Sequence, residues 1–228
     1  MLYDLHLHTA LSPCAEDDMT PASVIGLARL AGAGFAAVTD HNSALNLPAA
    51  EIAAREYGIR LLPGIEVNSA EEIHLLCYFP SVENALKMGE TIYEKLPAVH
   101  YDPKIWGAQL VMDENDAVIG RVDKLLTAAC SLDIYEVKRL CESLGGLCVP
   151  AHAEKDSYSL LSVLGFCPDD LDFPILELAD PDKYPALVSR GFLPPGREII
   201  SSSDAHNLAA VGSRLRELPE TSALLTLP

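Results

Sequence analysis

Seven histidines occur in the 228 residues, and six of them fall where a strand should end or a turn begin: His6, His8, His41, His74, His152 and His206. Asp4, Asp40, Glu66 and Asp204 stand at the same kind of position. The clearest group is Leu2-Tyr-Asp-Leu-His-Leu-His-Thr9, in which Asp4, His6 and His8 take every second place. Alternate side chains of a strand share a face, so these three point one way while Leu5 and Leu7 enter a packed layer. Neutral imidazole is a common metal ligand, and a nearby carboxylate can orient it, a role that falls here to Asp4 and Asp40. Mixed nitrogen and carboxylate donors suit zinc, manganese or iron better than calcium, which takes oxygen throughout. The candidate ligands outnumber the positions around one ion, so two or three divalent metal ions sharing bridging carboxylates are expected. Hydrolysis of phosphate esters uses such clusters, which acidify a bound water to a pKa of about 7 and neutralise the phosphoryl oxygens.

Strand ends must deliver these groups. Phe35 to Thr39 reads as a short apolar strand running into Asp40-His41-Asn42, and Arg60 to Val67 as one carrying Glu66. Ile73 to Phe79 carries His74 near its start, Leu147 to Ala151 delivers His152, and Ile199 to Ser202 delivers Asp204 and His206. Phe173 to Leu178 is a further strand. Helices are expected over 21–33, capped by Thr20-Pro21, and over 46–57, 82–95, 121–130, 134–144 and 182–189. Strands alternating with helices imply parallel β–α–β units, in which the carboxyl ends of strands converge on one crevice. Residues 97–122 are the least regular, with a hairpin around the acidic turn in 111–118. The whole chain is read as one α/β domain in which 81–146 is an elaboration, rich in helix, that partly lids one end.

Five segments together, in this order, resemble the motifs of the polymerase and histidinol phosphatase (PHP) superfamily: Asp4-Leu-His6-Leu-His8-Thr9, Thr39-Asp40-His41-Asn42, Gly64-Ile-Glu66-Val, His152 after its strand, and Ser203-Asp204-Ala-His206. The resemblance runs from residue 4 to about 212. It implies a distorted (β/α)7 barrel with a trinuclear metal centre at the strand C-termini and phosphoesterase chemistry. Carried over residue by residue, it implies one ion on His6, His8, Glu66 and Asp204, and a second on Glu66, His74 and His152. A third would sit on His41, His206 and one ligand from the loop after the first strand. The chain departs from the family there. Where members carry His or Asp, this loop offers Cys14 and, close by, Asp17. A thiolate would favour a softer metal such as zinc. His100 matches no motif.

The expected activity is hydrolysis of a small phosphate monoester, a nucleotide or sugar phosphate, by a metal-activated water whose proton Asp204 or His206 manages. Lys155, three residues beyond His152, is the first candidate to hold the phosphate, ahead of Arg214, Arg121 and Lys124. The balance of 16 basic against 33 acidic residues, net −17, argues against an extended nucleic-acid footprint. It leaves room for a small anion, because bound cations reverse the local field, and for a nuclease trimming strand ends. An amidohydrolase acting on a C–N bond and a binding module with a degenerate site are the rivals from other classes. The six cysteines form no CxxC pair and are expected to be buried, reduced thiols. With no secretory signal at the N-terminus and no apolar run of roughly 18 residues, a cytoplasmic, soluble protein is expected.

Overall fold

A computed structural model describes residues 1–99 and 101–227. The chain opens with β1 (Leu2–Leu7), α1 (Pro21–Ala31), β2 (Phe35–Val38), α2 (Leu47–Tyr57) and β3 (Arg60–Asn68), two β–α–β units in succession. Then come β4 (His74–Tyr78), α3 (Val82–Lys95), the one-turn α4 (Pro103–Trp106), and a hairpin of β5 (Leu110–Met112) and β6 (Val118–Arg121). α5 (Ile134–Ser143), β7 (Leu147–Pro150), α6 (Leu160–Leu164), β8 (Ile175–Glu177), α7 (Tyr184–Ser189), β9 (Glu198–Ile200) and β10 (Arg216–Glu217) complete it. Local chemistry sets the first boundaries as expected. The Thr20 hydroxyl accepts from Ser23 N–H with Pro21 in the first turn, and α1 ends on Gly32 in the left-handed region at φ 108°.

Six strands form a curled sheet in the order β10-β1-β2-β3-β4-β7, with β8 and β9 a separate parallel pair. β1, β2 and β3 are parallel neighbours. The expectation of parallel units throughout fails at β4, which runs antiparallel to both β3 and β7. The reason is chain length: only residues 69–73 join β3 to β4, whereas a parallel crossover takes a dozen residues or more. The antiparallel turn sets His74, at the start of β4, directly opposite Asn68 at the end of β3. His74 thereby reaches the same edge as the carboxyl ends of the parallel strands. The architecture is mixed α/β with a half-barrel sheet. The small β10, paired antiparallel with β1, was not expected. Leu5 and Leu7 are both buried, in different apolar clusters, and the pairing of β1 with β2 shifts register between Asp4 and Leu7.

No helix forms over 121–130. Two amide side chains take backbone polar groups that a helix would use, and a third ties down the neighbouring hairpin. Gln109 donates to the carbonyls of Val122 and Lys124 and accepts from Leu126 N–H. Asn42 donates to the carbonyls of Leu126 and Ala128 and accepts from Asn68 N–H. Asn46 donates to Thr9 Oγ1 and Leu110 O and accepts from Met112 N–H. Backbone satisfied in this way has no need of an i→i+4 ladder, and the segment runs in bends and turns instead. Five cysteines are buried and all six are free, but Cys14 is exposed. Among the described residues no helix is long and apolar enough to cross a membrane.

Asn46 has no exposed surface and makes three hydrogen bonds between the sheet, the first loop and the hairpin. Asn46→Ala is expected to destabilise the fold by about 2–4 kcal/mol, because it strands buried donors and acceptors as well as losing bonds. The thermal midpoint should fall by roughly 4–16 °C, and an unchanged midpoint would show that the insertion is held by something else.

Candidate metal centre

Glu66 sits on β3 in the middle of the sheet, 1% exposed. Five imidazole nitrogens approach its carboxylate: His74 Nδ1 at 2.9 Å, His41 Nδ1 at 3.0 Å, His6 Nε2 and His8 Nε2 at 3.3 Å, and His152 Nε2 at 3.5 Å. Asp204 Oδ1 lies 3.4 Å from both His6 Nε2 and His8 Nε2. His206 stacks on His8 with ring centroids 4.1 Å apart. The predicted histidines and carboxylates of all five motifs therefore meet at one place.

The hydrogen-bond network fixes which nitrogen of each ring is bare. Glu177 Oε2 accepts from His6 Nδ1 at 2.9 Å, which leaves Nε2 with its lone pair toward Glu66 and Asp204. Ser12 spends its single proton on Asp40 Oδ1, 2.7 Å away, so its oxygen accepts from His8 Nδ1 at 2.9 Å. His8 Nε2 is bare for the same reason. His206 Nδ1 donates to Asp204 O at 2.9 Å.

His6 Nε2, His8 Nε2, His41 Nδ1 and Glu66 Oε2 are buried with no hydrogen-bond partner. Leaving such acceptors dry and unpaired is costly unless a cation joins them. Candidate donor atoms gather within 4.8 Å of one another in three overlapping sets: His6, His8 and Glu66; His41, Glu66 and His74; His8, His41 and His206. This donor chemistry fits divalent transition-metal ions.

Electrostatics run the same way. Burial opposes charge on Glu66, but the imidazoles of His74, His41 and His6 outweigh it and hold the carboxyl well below its usual range. Asp204 is also pulled down, chiefly by His6 against its own burial. Burial likewise opposes a proton on His6, and Glu177, Asp204 and Glu66 override it. His41 is pushed up to about 10, with Glu66 outweighing burial. His8 goes the other way, kept neutral by burial and by the neighbouring His206. Glu66 and Asp204 therefore both stay ionised at the centre.

The candidate donors of the first loop differ in their placement. Cys14 lines the cleft beside His41 and His206, whereas Asp17 and its neighbours Glu16 and Asp18 are exposed and contribute nothing to the cleft walls. Burial raises the Cys14 thiol, and hydrogen bonds with His206 and His41 bring it down to about 7.

Other expectations need correction. Asp4 and Asp40 hold no imidazole directly. Asp40 accepts from Thr9 N–H, Thr9 Oγ1 and Ser12 Oγ, each at 2.7 Å, and acts on His8 only through Ser12. Asp4 accepts from Ser203 N–H and Gly212 N–H, both at 3.0 Å, and so anchors the last motif. The carboxylate that does orient an imidazole is Glu177, at the end of β8, which also accepts from His152 N–H. Its signal in the sequence was a lone acid at the end of an apolar strand, the same signal that marked Glu66.

Of the predicted cations, Lys155 lines the cleft and pairs with Asp204 Oδ2 at 2.6 Å. Lys124 is occupied elsewhere, donating to the carbonyls of Tyr93 and Leu96 at the end of α3. Arg121 lines a separate recess against α3, and Arg214 donates to Ala179 O beside the centre. His100 lies outside the described residues. His152 and Asp204 have φ of 32° and 52°, unusual for residues with side chains, and such backbone strain concentrates at functional sites. The insertion does reach the cleft, supplying Trp106, Leu125 and Thr127 to walls that enclose about 480 Å³.

The fold is shared with solved structures of other proteins. No family model matches the chain. It is 29% identical over 136 residues to the 5'-3' exoribonuclease Rnm of Salmonella typhimurium, covering 52% of this chain and 45% of that protein. It is 34% identical over 77 residues to a 5'-3' exoribonuclease of Haemophilus influenzae, covering 32% of this chain and 27% of the relative. The chain thus spans less than half the length of these curated relatives. Three solved structures share the fold. An amidohydrolase from Chromobacterium violaceum superposes with TM-score 0.64 at 20% identity, over 96% of this chain and 92% of its own. Pyrococcus furiosus endonuclease Q gives 0.61 at 22%, over 91% and 49%. A Bifidobacterium adolescentis protein provisionally described as a metal-dependent phosphoesterase gives 0.59 at 21%, over 90% and 87%. The similar proteins include hydrolases acting on phosphate esters.

Glu177→Gln keeps the shape of a buried side chain but removes the charge that holds His6 Nδ1–H. It is expected to leave the fold intact and weaken binding of manganese or zinc by roughly 10–100-fold in calorimetric titration, and equal affinity in the variant would show that His6 needs no such partner.

Proposed function

We propose that this protein is a metal-dependent phosphoesterase of the PHP type, acting on a phosphate monoester of a nucleotide or sugar phosphate. The observation that carries this reading is the set of bare, buried nitrogen and carboxylate atoms around Glu66. In the proposed assignment, His6, His8, Glu66 and Asp204 hold one ion, Glu66, His74 and His152 a second, and His41, His206 and Cys14 a third. Divalent ions bound there would supply an acidified water and neutralise charge on the phosphoryl oxygens.

The chain's own side chains do the rest. Lys155, 40% exposed at the cleft and beside Asp204, is placed to receive a phosphate oxygen. His206, partly exposed and with Nδ1 committed to Asp204 O, has Nε2 as the atom free to take a proton when no ion holds it. Asp204 keeps its carboxylate ionised and orients Lys155 through Oδ2. Tight burial of His6, His8 and Glu66 keeps bulk water away from the back of the centre.

A second reading, a nuclease acting on strand ends, is favoured by the two exoribonuclease relatives. Their names bring nucleic acid into consideration against the −17 net charge, which is unfavourable to a long backbone footprint. Both readings break a phosphate ester bond, whereas the amidohydrolase alternative rests on one neighbour of low identity. A degenerate site is disfavoured, because every motif position carries a side chain able to bind metal.

Elemental analysis joined to a phosphate-release screen with added manganese tests the assignment. More than one equivalent of metal is expected, with release from nucleotides or sugar phosphates that chelation abolishes. Lys155→Met should raise KM at least about tenfold, the loss of one charged contact to phosphate. Metal binding without release from any phosphate ester would shift the reading to C–N hydrolysis, and failure to bind metal at all would end it.

A further inference from the structure

Four aromatic side chains are exposed among the described residues, Tyr57, Trp106, Tyr158 and Phe166, and two of them stand on the walls of the metal cleft. Trp106 is the only tryptophan in the chain and is 49% exposed; Tyr158 is 48% exposed. Exposed rings are usual on a surface singly, but these two share one cleft with Lys155, Ser157 and Thr127.

The backbone around both rings is constrained. Tyr158 has φ 51°, and its carbonyl accepts from His74 N–H at 3.0 Å. Its ring stacks on His74 with centroids 4.9 Å apart and planes 23° from parallel, directly beside the Glu66 centre. Trp106 ends the short α4, whose next residue, Gly107 at φ 102°, rests against the first loop. A Cβ at Gly107 would come within 1.9 Å of Pro13 O, so only glycine allows this approach. The Tyr101 hydroxyl donates to Gly107 O and closes the turn. The segment bearing Trp106 is thus held against the first loop, and Trp106 lines the cleft together with Cys14 and Lys155.

From this geometry, and resting on the phosphoesterase reading above, we infer that the cleft takes an unpaired base of a phosphorylated nucleoside, stacked against Trp106 or Tyr158, with its phosphate at Lys155 and the centre. A space of about 480 Å³ accommodates one nucleotide unit. Every base has a π-face, so stacking grips nucleotides without reading sequence and contributes about 1–3 kcal/mol per base. A sugar phosphate has nothing to place there. The chain's acidity accords with recognition through one base and one phosphate instead of a charged track.

Because Trp106 is the only tryptophan, its fluorescence reports on this wall alone. Manganese-loaded protein is titrated with inorganic phosphate, ribose 5-phosphate, adenosine 5'-monophosphate and a 5'-phosphorylated single-stranded oligonucleotide, with affinities measured in parallel by calorimetry. The mononucleotide is expected to change Trp106 emission and to bind at least about tenfold more tightly than ribose 5-phosphate. Trp106→Ala and Tyr158→Ala are each tested, and one or both should erase that advantage while leaving phosphate affinity within about twofold. Preference between mononucleotide and oligonucleotide tells a free nucleotide from a strand end, with the base contact required in either case. Equal affinity for ribose 5-phosphate and the mononucleotide would overturn the inference and leave the phosphoesterase standing. If none of the probes, inorganic phosphate included, binds the metal-loaded protein, both fail together.

Discussion

A single buried carboxylate organises this protein. Glu66 has almost no exposed surface, and an ionised carboxylate in such a place is tolerable only if positive charge surrounds it. Five imidazole nitrogens surround it, drawn from β1, the end of β2, β4 and the end of β7, and burial does not displace the protons of His6 and His41 among them. Each comes from a different turn of the chain except His6 and His8, so satisfying Glu66 is equivalent to assembling the sheet edge. The requirement explains why β3 occupies the middle of the sheet and why β4 returns antiparallel, carrying His74 back to the same edge.

Several of the supports around this centre are neutral. Ser12 passes the influence of Asp40 to His8, and three buried amides, Asn42, Asn46 and Gln109, stitch the loop segments to the sheet edge. Neutral amides meet backbone groups without the desolvation penalty of a buried ion. Three carboxylates also serve as supports: Asp4 and Asp40 are met by amide and hydroxyl donors, and Glu177 stands directly against His6.

Much of this was legible in the sequence because metal ligands impose spacing as well as type. The two-residue step from His6 to His8 and the placement of His41, His152 and His206 after apolar runs located the centre before any coordinates. The resemblance to PHP motifs supplied the grouping. What could not be read was whatever depends on partners distant in sequence. Asp4 looked like an imidazole orienter because it precedes His6 by two residues, yet its acceptors serve amides 199 and 208 positions away. Residues 121–130 have helical periodicity, and the side chains that unwind them lie outside that window, at Gln109 and Asn42. Glu177 ends an apolar strand as Glu66 does, but it belongs to none of the five motifs, and its partner His6 lies 171 positions away. Loop length alone would have revealed the antiparallel β4, since five residues cannot make a crossover.

The long reach of Asp4 has a consequence for how the molecule comes into being. The first strand holds the loop of Ser203 and the turn of Gly212, and Asp204 and His206 leave the ribosome almost two hundred residues after His6 and His8. Closing a loop of that length carries a large entropic cost that contacts must repay together. A nascent chain ending before Asp204 carries His6, His8 and Glu66 but lacks the carboxylate that completes them. The full set of side chains around Glu66 is therefore assembled only late in synthesis, with the last motif.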